Sequence, residues 1–364
     1  MRRIDLQEKF ETNGPFWFMP IDILIRSDYG RSYMDMIGIN SKGGKTLVRV
    51  KNIPIFTDII YNEQTKDLIG RSEHKLIKQL KGKGYDEPIE FARVYFDGKK
   101  YRKNFIDANV KKHLMANTDD FETLLFRFMN FNTTDWNIIK YYKRIYTEDV
   151  EKLSFQVEIT LDRFADDFSK YISKYEKLPD YLIQDKTIIC AWDLETYTPS
   201  KYGDVPAVAN LNDKIKMCAM VFKYYWSDEI LHYVLITAVP IKLPFDAEII
   251  VTDDIIGEFA NVLERMQPDL LTGFNDGNYD WPFIKARLLE EDKNNFLRKI
   301  SSIYLSDFEC GQYGCMKEKS YPKIKNIKLD ASINMRYDGY IAPGCIIFDT
   351  MIIMRRYNKT DTKY

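Results

Sequence analysis

The sequence predicts an α+β domain followed by an α/β domain whose mixed sheet is flanked by helices. Three observations carry that prediction. Apolar runs alternating with period two, separated by turn residues, fill the first part of the chain. From Thr187 onward the order of elements becomes strand, strand, strand, helix, strand, helix. Two carboxylate-bearing segments in that second part stand at the ends of strands. A length of 364 residues fits two or three domains. The boundaries are set at 1–160 for the first domain, 161–186 for a connecting segment and 187–364 for the second domain.

In the first domain, Phe16–Ile25, Ser32–Gly38, Thr46–Val50 and Pro54–Ile60 read as strands of a meander, divided by the turns Asp28-Tyr-Gly30 and Lys42-Gly-Gly44. Glu63 to Leu80 is polar with helical periodicity, Ile89–Phe96 is strand-like, and Lys99–Met115 and Phe121–Phe131 read as further helices.

The second domain opens with Thr187-Ile-Ile-Cys-Ala-Trp192, a buried-strand pattern that runs into Asp193-Leu-Glu-Thr196. Side chains alternate along a strand, so Asp193 and Glu195 share a face. Ile215–Tyr225 and Ile230–Ile236 form a hairpin around Trp226-Ser-Asp-Glu229. Asp253–Met266 is a helix with Ile255, Ile256, Phe259, Val262, Leu263 and Met266 on one face and acids at its positive end. Leu270–Asn275 is a short strand entering a turn, and Asp280–Glu290 is a helix with Pro282 in its first turn, where no amide hydrogen bond is lost. Asp280 therefore stands at a strand-to-helix junction. Two carboxylates on one strand face repel unless a cation neutralises them, and Mg²⁺ or Mn²⁺ prefers such hard oxygen ligands. Alone, an Asp-x-Glu after a strand is more often a solvated sheet end, and an isolated Asp at a helix start more often a cap.

Composition excludes several alternatives. The chain holds 53 basic and 54 acidic residues, so no global charge argues for tight independent nucleic-acid binding. The cluster Lys99-Lys-Tyr-Arg-Lys103 with Lys111-Lys-His113 has the residue types for phosphate contact, yet a lysine-bearing helix is usually a solvated face. Five cysteines without a Cys-x-x-Cys pair give neither a zinc site nor a disulfide framework, and Cys310 and Cys315 frame a turn. His74, His113 and His232 stand apart from any nucleophile motif. No Gly-rich phosphate loop or internal repeat is present. Charged residues interrupt every apolar run, and the first residues lack a secretory core, so the expectation is a protein kept off membranes, not secreted, in a cytosol-like compartment of the producing cell.

Together, Asp193-Leu-Glu195 and Thr272-Gly-Phe-Asn-Asp-Gly-Asn-Tyr-Asp-Trp-Pro-Phe-Ile284 resemble the first two motifs of the 3′→5′ proofreading exonuclease in family B DNA polymerases, and the wording is most similar to polymerases of large cytoplasmic DNA viruses. Leu125–Phe131 followed by Trp136–Lys140 resembles part of the family's N-terminal domain. The resemblance implies a family B N-terminal α+β domain followed by a ribonuclease H-like exonuclease domain with catalytic carboxylates at one edge of the sheet. It also implies two divalent cations, Mg²⁺ or Mn²⁺. By it Asp193 would bridge the ions, Glu195 would hold the ion that activates water, and Asp280 would serve the ion beside the leaving 3′ oxygen. Asn275, Thr196 and Tyr279 would contact substrate. The implied partner is DNA, as a single-stranded 3′ end or primer-template, together with the remaining polymerase portion in cis or trans.

The family's third motif is Tyr-x-x-x-Asp on a late helix. Tyr357-Asn-Lys-Thr-Asp361 has the spacing but a loop composition, and it is set aside. Cys345–Met354 resembles the family strand that precedes the long helical stretch before that motif, and no palm motif is present. The expectation is therefore the front part of a polymerase, with an incomplete exonuclease site and exposed apolar surface from about Lys293 onward. The alternative is a non-catalytic nucleic-acid-binding or scaffold fragment of a split polymerase.

Overall fold

The computed structural model of the chain describes residues 10, 12–28, 31–70, 72–79, 89–110, 121–146, 152–162, 164, 167–184, 186–199, 205–225, 227–238, 246–289, 291–303, 323–328 and 334–358. The expected meander forms from β1 (Phe16–Asp28), β2 (Arg31–Asn40) and β3 (Lys45–Lys51), paired antiparallel in order. Gly43 takes the turn between β2 and β3 at φ 83°, and the Asn40 side-chain oxygen accepts from the Lys42 and Gly44 amides.

β4 (Phe56–Ile60), α1 (Glu63–Ile69), β5 (His74–Gln79) and β6 (Ile89–Tyr95) follow, and the strands form a three-stranded sheet in the order β4-β6-β5. The helix expected from Glu63 to Leu80 is thus wrong in its second half. It ends at Ile69, where Gly70 N donates to Lys66 O at 2.9 Å, and His74–Gln79 gains a full antiparallel ladder with β6 instead. Tertiary pairing overrides the local pattern. α2 (Lys99–Val110) and α3 (Phe121–Met129) match expectation within the described residues. In the basic cluster, Lys99 pairs with Glu122 and the buried Arg102 donates to Phe56 O, so two of its cations serve the fold; Lys111–His113 lie outside the described residues.

β7 (Asn137–Ile139), β8 (Lys143–Arg144), β9 (Phe155–Thr160) and β10 (Ile172–Ser173) complete a seven-stranded sheet in the order β10-β7-β1-β2-β3-β9-β8, and α4 (Asp180–Ile183) leads towards the next sheet.

That sheet has six strands, β11 (Ile188–Tyr197), β12 (Lys214–Tyr224), β13 (Ile230–Ile236), β14 (Glu248–Val251), β15 (Leu270–Gly273) and β18 (Ile346–Asp349), in the order β14-β13-β12-β11-β15-β18. β11, β12 and β13 are antiparallel, whereas β14, β15 and β18 each pair parallel to a neighbour, so the sheet is mixed as expected. α5 (Ile255–Met266), α6 (Asp280–Arg287), α7 (Lys293–Ile300) and α8 (Thr350–Asn358) accompany it, with a separate hairpin of β16 (Lys323–Lys328) and β17 (Asn334–Gly339). Asp254 caps α5 by accepting from Gly257 N at 2.8 Å.

Two expectations need correction. β11 is an internal strand, so Asp193 and Glu195 stand towards its C-terminal end rather than on a sheet edge. Cys345–Met354 is half strand and half helix, because Asp349 Oδ1 accepts from Met351 N at 2.8 Å and so starts α8 at Thr350. Tyr357 lies in that helix; Asp361 and the turn framed by Cys310 and Cys315 lie outside the described residues. Ile346, Ile353 and Met354 are about two-fifths exposed. Among the described residues no helix is long and apolar enough to cross a membrane.

The two large sheets are fastened by buried polar contacts. Lys45 on β3 is fully buried and its Nζ meets Asp269 Oδ1 at 2.6 Å. The other Asp269 oxygen accepts from Ile188 N at 2.9 Å, which ties the start of β11 to the start of β15. Asp22, in β1 beside its bulge, accepts from Gly344 N at 3.0 Å. Gly344 sits at φ 85°, and a Cβ there would meet the Ser302 side chain at 2.5 Å. Leaving one partner of a buried pair as an uncompensated charge costs about 3–5 kcal/mol. Asp269→Ala is therefore expected to lower unfolding stability by about that much. Combining it with Lys45→Met should recover part of the loss in urea titrations, since no lone charge then remains.

Candidate active site

Burial alternates along β11 as the sequence predicts. Cys190, Trp192 and Leu194 are buried while Ala191, Asp193 and Glu195 are exposed, so the two acids share the open face. The buried face is anchored by aromatic contacts. The Trp192 ring lies 4.6 Å from Trp281 and 4.8 Å from Phe259, between centroids, which holds β11 against both α6 and α5.

Trp281 follows Asp280, and that adjacency places the third acid. Asp280 does not cap its own helix. It is buried, and its Oδ1 accepts from Leu194 N at 3.2 Å, between Asp193 and Glu195 in sequence. Burial raises its carboxyl first and the charge of Asp193 second, pushing it up to about 7. Asp193 is also raised, through loss of solvation. The charge of Asp193 therefore opposes ionisation of Asp280, an arrangement that a cation between them would relieve. Glu195 shares their strand face, yet among the described residues no three acidic, histidine or cysteine side chains stand close enough to hold an ion as they are arranged. Asp193 and Asp280 converge; Glu195 does not complete the cluster.

The turn that delivers Asp280 is crowded. A Cβ on Gly273 would stand 2.6 Å from Asp276 Cβ, and one on Gly277 would stand 2.2 Å from the Tyr337 ring. Asn275 adopts φ 62°, its amide donates to Asp349 Oδ1 at 2.9 Å, and its side-chain oxygen accepts from Asn278 Nδ2 at 2.9 Å. In this arrangement the Asn275 side chain braces the turn. The Thr196 and Tyr279 hydroxyls lie 2.6 Å apart, joining the end of β11 to the start of α6, and Tyr279 packs its ring on Phe283. All six expected residues thus belong to one region built from β11, the turn after β15 and α6.

The sequence profile of DNA polymerase family B, exonuclease domain, matches residues 115–364. The chain belongs to that family. Its sequence is 30% identical over 376 residues to a "DNA polymerase beta" of African swine fever virus, Tick/Malawi isolate, covering 96% of this chain and 29% of the relative. A Pig/Kenya isolate of the same virus has a polymerase that is 29% identical over the same shares of each chain. The chain thus spans about three-tenths of the length of the curated relatives it matches. Among solved structures, the family B DNA polymerase of the archaeon Pyrobaculum calidifontis superposes with a TM-score of 0.49 at 14% identity, over 74% of this chain and 32% of that one.

This family B exonuclease domain also contains an acid pair that sequence reading did not single out. Asp276 and Asp349 are buried, and Asp276 Oδ1 and Asp349 Oδ2 have no hydrogen-bond partner among the described residues. Burial first, then the charges of Asp349 and Asp280, push Asp276 up to about 8, and Tyr337 beside them is raised well above the usual phenol range. Only the topology reveals the pair, since β18 reaches β15 from more than seventy residues away. The proton on Asp276 is retained in the folded state and lost in the unfolded state between the ordinary carboxylate value and about 8. Folded protein binds the extra proton there, so stability should fall as pH rises through that window. Asp276→Asn should flatten the fall, measured as unfolding temperature against pH from about 4 to about 8.

Proposed function

We propose that the chain carries the proofreading 3′→5′ exonuclease of a family B DNA polymerase and hydrolyses terminal nucleotides from single-stranded 3′ ends of DNA. The observation that carries this reading is the convergence of Asp193 and Asp280, from separate elements, into a pair whose mutual repulsion is relieved by a divalent cation. Residues 187–364 are read as a ribonuclease H-like exonuclease domain, 1–160 as the family's N-terminal domain and 161–186 as their connection.

The donors are all hard oxygens, which suits Mg²⁺ or Mn²⁺, with Asp193, Glu195 and Asp280 as the residues that would hold two such ions. When bound, the ions supply an activated water and charge stabilisation at the leaving oxygen. The protein's own part is positional. The Leu194 amide fixes one Asp280 oxygen and leaves the other for the site, while the Trp192–Trp281 contact keeps strand and helix from sliding apart. Glu195, exposed on the same face, is free to turn inward when cation and substrate arrive. The Thr196–Tyr279 pair closes one wall of the cleft beside the terminal nucleotide. Polymerisation, the primer-template partner and the remaining polymerase portion in cis or trans are proposals for the longer proteins to which this chain is related.

Asp193→Ala and Asp280→Ala should each reduce Mg²⁺- or Mn²⁺-dependent release of nucleotides from a 5′-labelled single strand by about a hundredfold or more. Removal of the metal with a chelator should have the same effect. Metal-independent DNA retention without hydrolysis, unchanged by Asp193→Ala, would instead support a non-catalytic binding or scaffold role.

A further inference from the structure

The regular pairing of β11 with β12 is broken beside the acids. Glu195 lies opposite Met217 and Thr196 opposite Ile215, so Lys216 is an extra residue with no partner across the ladder. A bulge of this kind bends the strand and re-aims a side chain. Burial along β12 shows the effect. Cys218, Met220 and Phe222 are buried in strict alternation, which without the bulge would direct Lys216 into the core; instead Ile215 is buried and Lys216 is exposed. Its ammonium lies 6.0 Å from the centroid of the Tyr197 ring. Tyr197 is 54% exposed and follows Glu195 by two residues, roughly 7 Å along the strand, on the strand that carries both acids. The ion pairs among the described residues do not include Lys216. Lys214, directly opposite Tyr197, is exposed as well. An open aromatic face at the end of β11, with two cations beside it on β12, therefore follows directly on the two exposed acids.

We propose that Tyr197 and Lys216 form a docking subsite for single-stranded nucleic acid, in which the tyrosine ring stacks on a base and the lysine pairs with a backbone phosphate. The subsite rests on the nuclease reading above and deepens it, because it gives the strand a hold beyond the acids that would otherwise repel its backbone. Stacking on an aromatic side chain accepts any base, and a lone ammonium recognises phosphate without reading sequence, so the subsite suits an enzyme that must accept any terminal sequence. The simpler reading is an exposed cation–π contact that contributes only to stability. The two readings differ in what substitution does to binding.

The test uses fluorescence anisotropy with a 5′-fluorescein oligothymidylate of about twelve nucleotides, a length that covers a single-strand site. Measurements are made in Mg²⁺ on the full chain carrying Asp193→Ala, to prevent turnover. Added to that background, Tyr197→Ala should weaken binding about tenfold, whereas Tyr197→Phe, which keeps the ring, should stay within about twofold. Lys216→Gln should weaken binding severalfold and reduce the slope of log affinity against log salt by about 0.7, the signature of one lost phosphate contact on a single strand. Absence of binding in the parent, or equal affinity and salt slope in all variants with only unfolding temperature changed, would overturn the subsite. Hydrolysis separates this proposal from the one it rests on. With Asp193 restored, Tyr197→Ala should raise KM and leave kcat nearly unchanged. If the unsubstituted chain hydrolyses nothing while binding still depends on Tyr197, the nuclease reading falls and the docking subsite stands.

Discussion

Asp193 and Asp280 oppose each other's charge in a setting where water is largely excluded from one of them, and much of the six-stranded sheet and its helices serves to keep them together. Neither acid could hold this position by local structure alone. Asp193 is fixed by the pairing of β11 with β12, where it lies opposite Ala219, two residues beyond the last pair that β11 makes with β15. Asp280 is fixed by a turn in which two glycines and a left-handed asparagine bring the chain around tightly enough for its carboxylate to meet the Leu194 amide. The indole contact behind them, Trp192 on Trp281, supplies the apolar counterpart of this arrangement. Desolvated like charges raise the energy of the folded state, and the packing around the indoles offsets that cost.

The seven-stranded sheet takes part in this directly. Asp269 receives the Lys45 ammonium from β3 and the Ile188 amide from β11 on its two oxygens, and it lies just before β15. The relative height of the two strands that lead to the acids is therefore set at their N-terminal ends by a residue from another sheet. Ile37 on β2 and Leu47 on β3 also join the apolar core around Trp192 and Trp281, so the fastening is both polar and apolar.

Much of this was legible in the sequence because period and punctuation agreed. The strand carrying Asp193 and Glu195, the hairpin, the helix at Ile255–Met266 and the strand-turn-helix leading to Asp280 all form where alternation and turn residues place them. The failures have a common cause. His74–Gln79 looked helical because nothing in its own pattern reveals the neighbour with which it pairs. Asp349 ends a strand and starts a helix within a run that reads as continuous strand, because its capping hydrogen bond is invisible to hydrophobic periodicity. The buried Asp276–Asp349 pair and the outward Lys216 depend on strand order and on a register shift, and neither quantity is encoded locally.

Asp349 uses one oxygen for two amides, those of Asn275 and Met351. The hydroxyls of Thr272 and Thr350 meet beside it. The last helix is thereby geared to the turn that carries Asp280, with a single carboxylate as the pivot. The helix is tied to that turn by these polar contacts and also through Met351 and Ile352, which join the apolar core that holds Trp192 and Trp281. One carboxylate thus joins three parts of the chain, the end of β18, the start of α8 and the turn before Asp280, so its loss would loosen all three at once.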